Sequence, residues 1–220
     1  MKSRFDSVIF DFDGTIADTA DGVFASIRYA SQKLNKPYPD DETLRKFIGP
    51  PLLFSFREYL GYCDEDAEKA VELYREYYSD EGLFRLRFYD GILELAKLLR
   101  DKKVKVGIAS AKPDVFIQRI LEHFDIKGLF DYAKGISLED YCTDKSYLFE
   151  KVCRNLGAND KKKVLVIGDK CFDVDGANEI GAVSAGVLFG YGTKEELENS
   201  HATFIAEKTS DLMKLIFEEE

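Results

Sequence analysis

Residues 8–19, VIFDFDGTIADT, lead an apolar run directly into two aspartates, Asp11 and Asp13. The Val, Ile and Phe residues before Asp11 predict a buried strand. Side chains two positions apart in an extended chain point the same way, so both carboxylates project together from the carboxyl end of that strand. Open α/β sheets bind their ligands at that end. Because unpaired carboxylates there are costly, the stretch predicts a Mg2+ site.

The rest of the chain predicts a parallel sheet with an insertion. Short runs rich in Val and Ile near 104–109, 132–137, 163–168 and 182–188 alternate with helical patterns. This alternation predicts an α/β fold whose parallel five-stranded sheet is covered on both faces. Between 17 and 84 the sequence shows four helical patterns and no convincing strand. We therefore expect a four-helix cap domain, 17–84, inserted into an α/β core of 1–16 and 85–220; extra helices packed on the sheet are the alternative.

Composition excludes several classes of function. The 220 residues carry a net charge of −10, which disfavours broad contact with a nucleic-acid backbone. No apolar run approaches the ~20 residues that a membrane helix needs, and no signal-peptide pattern is present. The four cysteines lack CxxC spacing, which is typical of reduced thiols. We expect a cytoplasmic monomer or weak homodimer that binds neither nucleic acid nor membrane.

A second acidic cluster lies in VLVIGDKCFDVDGA, residues 164–177. Asp169 follows the fourth predicted strand directly, and Asp173 lies at the start of a helix. If strands one and four are neighbours, Asp169 faces the Asp11 and Asp13 pair, and three or four carboxylates would surround one hard cation. For Asp173 a helix-capping role is the alternative. Cys171 lies in the same loop, where an oxidation-sensitive thiol is one interpretation.

The remaining strand exits supply groups that suit an anion. Ser110, in GIASAKP, offers a hydroxyl beside free backbone N–H groups, which together can hold a phosphate. Lys145 opens a helix, where a cation is unfavourable unless it faces an anionic ligand or an acidic cluster; a solvated surface lysine is the alternative. These groups suggest that Asp11 attacks phosphorus and that Asp13 protonates the leaving oxygen and then activates water. The metal, Ser110 and Lys145 would neutralise the phosphoryl oxygens.

The motifs DFDGT, ASAKP and GDKCFD, together with Lys145, resemble those of haloacid dehalogenase superfamily phosphatases, in particular the phosphoglycolate-phosphatase-like branch with a helical cap. The resemblance covers nearly the whole chain. It implies a Rossmann-like core with sheet order 5-4-1-2-3 and Mg2+-dependent hydrolysis through an aspartyl-phosphate.

The resemblance also implies a role for each site residue. Asp11 is the nucleophile and a metal ligand, and Asp13 is the acid/base and binds metal through its backbone carbonyl. Asp169 is the third ligand, and Asp173 orients metal-bound water. The implied phosphate-binding residues are Gly14, Thr15, Ser110, Ala111 and Lys145.

The expected substrate is a small phosphorylated metabolite: phosphoglycolate, a nucleoside 5'-monophosphate or pyrophosphate. The segment RKFIGPPLLFSF resembles the part of the cap that lowers onto the active site, with Arg45, Lys46 and Gly49 as candidate contacts. Relatives with a similar segment, some of them 5'-nucleotidases, often carry a basic residue where Leu53 and Phe54 stand here, which favours an apolar or aromatic substrate group.

Three alternatives to a phosphatase remain. A phosphomutase of the β-phosphoglucomutase type would retain its substrate through two transfers. A dehalogenase is disfavoured by Asp13, because those enzymes need no acid there and no metal. An inactive binding protein is disfavoured by the intact set of acids.

Overall fold

The computed structural model describes residues 2–137 and 144–217. The chain forms two compact units. The core unit comprises Met1–Asp18 and Phe88–Glu220, and the helical unit comprises Thr19–Arg87.

The core unit is built on a parallel sheet whose strand order is β5-β4-β1-β6-β7-β8. The α/β class is confirmed, and the five predicted strands lie in the predicted order. The sheet has six strands rather than five, because β8 adds one at the edge. The extra edge strand, β8, has three residues, which is too short for a periodic pattern to show in the sequence. The strands of the sheet are β1 Ser7–Phe10, β4 Lys105–Pro113, β5 Tyr132–Ile136, β6 Val164–Gly168, β7 Val183–Val187 and β8 Phe204–Ala206. Two shorter strands, β2 Ala17–Asp18 and β3 Arg87–Phe88, lie where the chain passes from one unit to the other.

Helices cover both faces of the sheet, as parallel strands require. Ile9 packs with Phe149 and Ala177 on one face, while the next residue, Phe10, lies with Ile92 and Ala96 on the other. All four residues of β1 are buried, which explains why apolar residues follow one another without alternation from Val8 to Phe10. The helices of the core unit are α5 Ile92–Asp101, α6 Asp114–His123, α7 Lys145–Leu156, α8 Cys171–Glu179, α9 Lys194–Asn199 and α10 Thr209–Ile216.

The helical unit contains four α-helices, where the sequence shows four helical patterns, and a short 3₁₀ helix. Its interior includes an aromatic cluster in which the rings of Phe47 and Phe56 lie 5.1 Å apart and those of Phe56 and Tyr62 lie 5.7 Å apart. Its bounds and its role as a cap remain predictions. The helices are α1 Ala20–Lys33, α2 Asp41–Arg45, α3 Leu52–Leu60, α4 Asp64–Asp80 and the 3₁₀ helix Gly82–Phe84.

No helix in residues 2–137 and 144–217 combines the length and apolar character needed to cross a membrane.

Candidate active site

The sheet register brings separate parts of the chain to one edge. β1 pairs with β4 on one side and with β6 on the other, so that Phe10 lies beside both Ile108 and Ile167. Asp11 continues this pairing, because its N–H donates to the carbonyl of Ile167 at 2.9 Å. Residues that follow these three strands therefore emerge together at the carboxyl edge of the sheet, where α/β folds place their ligands.

Three buried carboxylates meet at this edge. Asp11, Asp169 and Asp173 each contribute an oxygen, and the three oxygens lie within 4.8 Å of one another. Two glycines make the room for them. A Cβ at Gly14, whose φ is +80°, would lie 2.2 Å from Asp169 Oδ2, and a Cβ at Gly168 would lie 2.3 Å from Asp173 Cβ. We call this group the carboxylate cluster.

Lys145 supplies a positive charge to the cluster. It is the first residue of α7, and its Nζ lies 2.8 Å from Asp11 Oδ1 and 2.8 Å from Asp173 Oδ1. Gly176 allows this approach, since a Cβ there would lie 2.9 Å from Lys145 Cβ. Burial lowers the pKa of Lys145, but attraction by the two carboxylates outweighs it and raises the pKa above its ordinary value. Lys145 is thus a buried ammonium and not a solvated surface lysine.

Asp169 presents one oxygen with no protein partner. Its Oδ2 accepts a hydrogen bond from the N–H of Tyr191 at 2.8 Å, whereas its buried Oδ1 has no hydrogen-bond partner within the described residues. Burial, followed by repulsion from Asp173 and Asp11, raises the pKa of Asp169 to about 8. Burial also raises the pKa of Asp11, against the opposing effect of Lys145. An orphaned oxygen among crowded carboxylates is what a divalent cation would relieve, so the residues fit a metal.

Asp173 combines the two roles that the sequence left open. Its Oδ2 accepts a hydrogen bond from the N–H of Lys170 at 3.1 Å, which stabilises the start of α8. Its Oδ1 faces Lys145. The helix-capping role and membership of the cluster are therefore compatible.

Asp13 lies beside the cluster and pairs with a lysine that the sequence reasoning missed. The Nζ of Lys112 lies 3.1 Å from Asp13 Oδ1. β4 continues through Lys112 to Pro113, beyond the predicted end near residue 109. Lys112 follows Ser110 by two positions, and residues at that spacing in a strand share a side. That spacing in ASAKP is the signal that could have identified Lys112.

The predicted phosphate-binding residues have mixed surroundings. Ser110 is buried, and its Oγ accepts a hydrogen bond from the N–H of Lys112 at 3.2 Å. Ala111, between them on β4, is half-buried. The N–H groups of Gly14 and Thr15 donate to the carbonyls of Ala17 and Phe12, so they are engaged within their own turn. The hydroxyl of Thr15 is buried without a hydrogen-bond partner in the described part of the chain.

The predicted substrate-selecting residues Arg45, Lys46 and Gly49 all belong to the helical unit. All three are exposed, and Gly49 has a φ of +112°. Arg45 is the last residue of α2.

The loop after β7 braces Asp169 in a way that the sequence did not reveal. Besides its N–H bond to Asp169, Tyr191 donates its hydroxyl to Asp18 Oδ1 at 2.8 Å. The carbonyl of Tyr191 accepts a hydrogen bond from Lys170 Nζ at 3.1 Å. Glycines flank Tyr191 because a Cβ at Gly192 would lie 1.7 Å from the Asp169 carbonyl oxygen. The GYG pattern is the only sequence signal of this close approach.

Cys171 is held as a protonated thiol. Burial and a hydrogen bond to Glu196 raise the pKa of Cys171 to about 11. A thiol is reactive as its thiolate, and a high pKa suppresses that form. The structure therefore favours an inert Cys171 over an oxidation-sensitive one.

Comparison with known proteins agrees with this geometry. The family model described as haloacid dehalogenase-like hydrolase matches residues 8–187. The chain belongs to this family. A 5'-nucleotidase of Pseudomonas aeruginosa is 34% identical over 200 residues, covering 91% of this chain and 90% of that protein. The tyrosine-protein kinase PtkA of Mycobacterium tuberculosis is 33% identical over 199 residues, covering 90% of this chain and 67% of that protein.

A solved structure of a candidate phosphatase from Clostridium difficile has a TM-score of 0.92 and 36% identity, with 98% of this chain and 100% of that chain covered. The resemblance to haloacid dehalogenase phosphatases noted from the motifs is thus confirmed, and the chain is an enzyme of this hydrolase family.

Proposed function

We propose that this haloacid dehalogenase-family enzyme is a Mg2+-dependent phosphatase that hydrolyses a small phosphate monoester through an aspartyl-phosphate on Asp11. One observation carries the proposal. Asp11, Asp169 and Asp173 form a buried carboxylate cluster at the carboxyl edge of the sheet. Perturbed, buried carboxylates at such a position are typical of an active site.

The residues suit a hard divalent cation. Asp11 and Asp169 would hold it through side-chain oxygens and Asp13 through its backbone carbonyl, with Asp173 orienting metal-bound water. Oxygen ligands with positions left for water and phosphate are those that Mg2+ prefers. The bound ion would supply positive charge to the phosphoryl oxygens.

The reaction proceeds in two displacements. An oxygen of Asp11 forms a bond to phosphorus while the ester P–O bond breaks, and the carboxyl proton of Asp13 passes to the leaving oxygen. A water oxygen then attacks phosphorus, Asp13 takes the proton of that water, and the bond from phosphorus to Asp11 breaks. Lys145 holds Asp11 in place at 2.8 Å, and together with Ser110 it binds the phosphoryl oxygens.

A nucleoside 5'-monophosphate is the first substrate to test. The 5'-nucleotidase of Pseudomonas aeruginosa covers nearly the whole chain, and Leu53 and Phe54 stand where a basic residue would serve a second anionic group. Within this proposal the helical unit is a cap domain, and Arg45, Lys46 and Gly49 help to select the substrate.

The decisive experiment is a panel of phosphate esters with the purified full chain. Nucleoside 5'-monophosphates, phosphoglycolate, sugar phosphates and pyrophosphate are incubated with Mg2+ or with EDTA, and released inorganic phosphate is measured. We expect release only with Mg2+ and no isomerised sugar phosphate, which would separate a phosphatase from a phosphomutase. If no compound yields phosphate with Mg2+ present, the proposal is wrong.

A further inference from the structure

Among the residues that the structure describes, Lys112 is the one buried charged residue that the proposed reaction does not use. Within residues 2–137 and 144–217, the buried charged side chains are Asp11, Lys112, Lys145, Asp169 and Asp173. A buried ammonium is costly unless it is paired, and an apolar side chain of similar size would fill the same space without that cost. The presence of a charged side chain at this buried position therefore indicates a role that depends on its charge.

The ammonium of Lys112 is held in a defined place. Its side chain is only 5% exposed, and Nζ lies 3.1 Å from Asp13 Oδ1, whose side chain is 25% exposed. The same Nζ lies 5.9 Å from the centroid of the Phe12 ring, within the range of a cation–π contact. The ammonium of Lys112 is thus paired with one oxygen of a carboxyl group that is still partly exposed to solvent.

The backbone around Lys112 is also fixed. The pairing of β4 with β5 shifts register between Ala109 and Pro113. On the β5 side, a Cβ at Gly135 would lie 2.2 Å from the Lys112 carbonyl oxygen, so the two backbones approach closely there. The hydrogen bond from the Lys112 N–H to Ser110 Oγ adds a further constraint. The backbone of Lys112 is therefore held by both of these close contacts, which fixes the point from which its side chain extends.

Two lysines divide the carboxylates between them. Lys145 contacts Asp11 and Asp173, whereas Lys112 contacts Asp13, whose side chain is not among the three that form the carboxylate cluster. The Asp13 carboxyl group is thus paired with its own ammonium, separately from the carboxylates that Lys145 contacts.

We propose that Lys112 is a positioning residue that holds the Asp13 carboxyl group beside the carboxylate cluster and directed to the leaving-group oxygen. The inference rests on the proposed function and assigns Lys112 to proton transfer rather than to phosphate binding. Removing Lys112 then impairs the reaction most for esters whose leaving oxygen needs a proton, and least for esters whose leaving group departs as an anion.

The test compares phenyl phosphate with p-nitrophenyl phosphate, which are similar in shape but differ in how readily the leaving group departs. Lys112→Met is assayed with Mg2+ on both esters, and kcat/KM is used because it reports the steps through the first phosphoryl transfer. We expect a loss of about 100-fold on phenyl phosphate and of less than about tenfold on p-nitrophenyl phosphate, with KM little changed. Lys112→Arg, which keeps the charge, should recover part of the activity on phenyl phosphate.

Lys105→Met is the matched control. Lys105 begins the same strand and pairs with Asp131 at 3.0 Å at the opposite end of the sheet, so its removal should leave both kcat/KM values unchanged. Equal losses on the two esters, or no loss, in Lys112→Met would overturn the inference while leaving the phosphatase intact. If Lys112→Met does not fold, the same unequal loss must appear in Lys112→Arg as a smaller effect. A wild-type protein inactive on both aryl esters and on every compound of the phosphate-ester panel would overturn the proposed function and this inference with it.

Discussion

The two units of the molecule differ in where their charged side chains lie. In the described part of the chain, all buried charged side chains belong to the core unit. The buried Ser and Thr residues of the helical unit are Thr19, Ser26, Ser31 and Ser55, and no described Asp, Glu, Lys or Arg residue of this unit is buried. Its ion pairs, such as Arg28 with Asp41 and Arg57 with Asp64, lie at the surface.

This difference indicates which charged residues serve function rather than stability. Burying a charge costs several kcal/mol, and the pair it forms returns that energy only with good geometry. The core unit bears this cost at one edge of its sheet, which stability alone would not favour, whereas the helical unit is held by ordinary apolar packing. Charge-removing substitutions should therefore have large effects at the carboxylate cluster and small effects in the helical unit.

The largest effect is expected from Asp11→Asn. An amide is a poor nucleophile, so kcat should fall by at least about 10³-fold on the best ester of the panel. The melting temperature should change little, because the substitution removes one of three crowded negative charges while Lys145 keeps its contact with Asp173. Steady-state kinetics and thermal unfolding measure the two outcomes.

Asp41→Asn is the control for that substitution, since Asp41 is an exposed aspartate of the helical unit. It should keep kcat within about twofold, as surface substitutions usually do. Near-normal turnover by Asp11→Asn would refute the nucleophile assignment.

The next largest effect is expected from Lys145→Met in metal-free buffer. The change leaves Asp11 and Asp173 without their shared ammonium, and breaking a buried ion pair from one side costs about 3 kcal/mol. Urea unfolding should show that loss, and saturating Mg2+ should reduce it by supplying another positive charge. Lys105→Met, which breaks an exposed pair, should cost less than about 1 kcal/mol. An equal loss in the two variants would contradict the view that the cluster is electrostatically special.

A smaller effect is expected from pH. Burial raises the pKa of Asp169 to about 8 in the folded chain, above the ordinary value of 3.8. The folded chain therefore binds this proton more tightly than the unfolded chain does. Its contribution to stability is complete below the unfolded pKa and is lost as pH rises through about 8. Asp131, whose pKa is lowered, completes its titration below this window.

Thermal unfolding in EDTA checks this sign. The melting temperature of the metal-free protein should fall by several degrees between about pH 6 and about pH 8. Added Mg2+ should raise it more at the higher pH, because protons compete with the metal for the carboxylates. The fall of the melting temperature with pH should be smaller in Asp169→Asn, because the asparagine side chain does not titrate. A melting temperature that rises between these pH values in EDTA would contradict a raised pKa of Asp169 in the folded chain.

Much of the carboxylate cluster could be predicted from the sequence, because its position depends on where the strands of the sheet end. Asp11 and Asp169 each follow an apolar run directly, and neighbouring parallel strands bring their exits together whatever the distance along the chain. Lys145 stood out because a cation at the start of a helix is unfavourable unless something anionic faces it.

The rest depends on contacts that no local pattern encodes. Lys112 meets Asp13 only because β4 continues past its apolar run and lies beside β1. Tyr191 reaches Asp169 only because two glycines let the loop after β7 approach closely. β8 could not be predicted for a different reason, because a strand of three residues is too short for a periodic signal.

The smallest effect is expected in the helical unit, from Arg28→Ala. Arg28 pairs with Asp41 at the surface, where both side chains are more than one third exposed. Solvent screening and the freedom of long side chains limit such a pair to less than about 1 kcal/mol. Urea unfolding should therefore show almost no change, and the Mg2+-dependent rise in melting temperature should be that of the wild type. This substitution also tests the contrast between the buried charges of the core unit and the surface ion pairs of the helical unit. If Arg28→Ala destabilises the chain as strongly as Lys145→Met does, surface ion pairs contribute to its stability as much as the buried ones, and the concentration of charge at the carboxylate cluster loses its meaning as a sign of function.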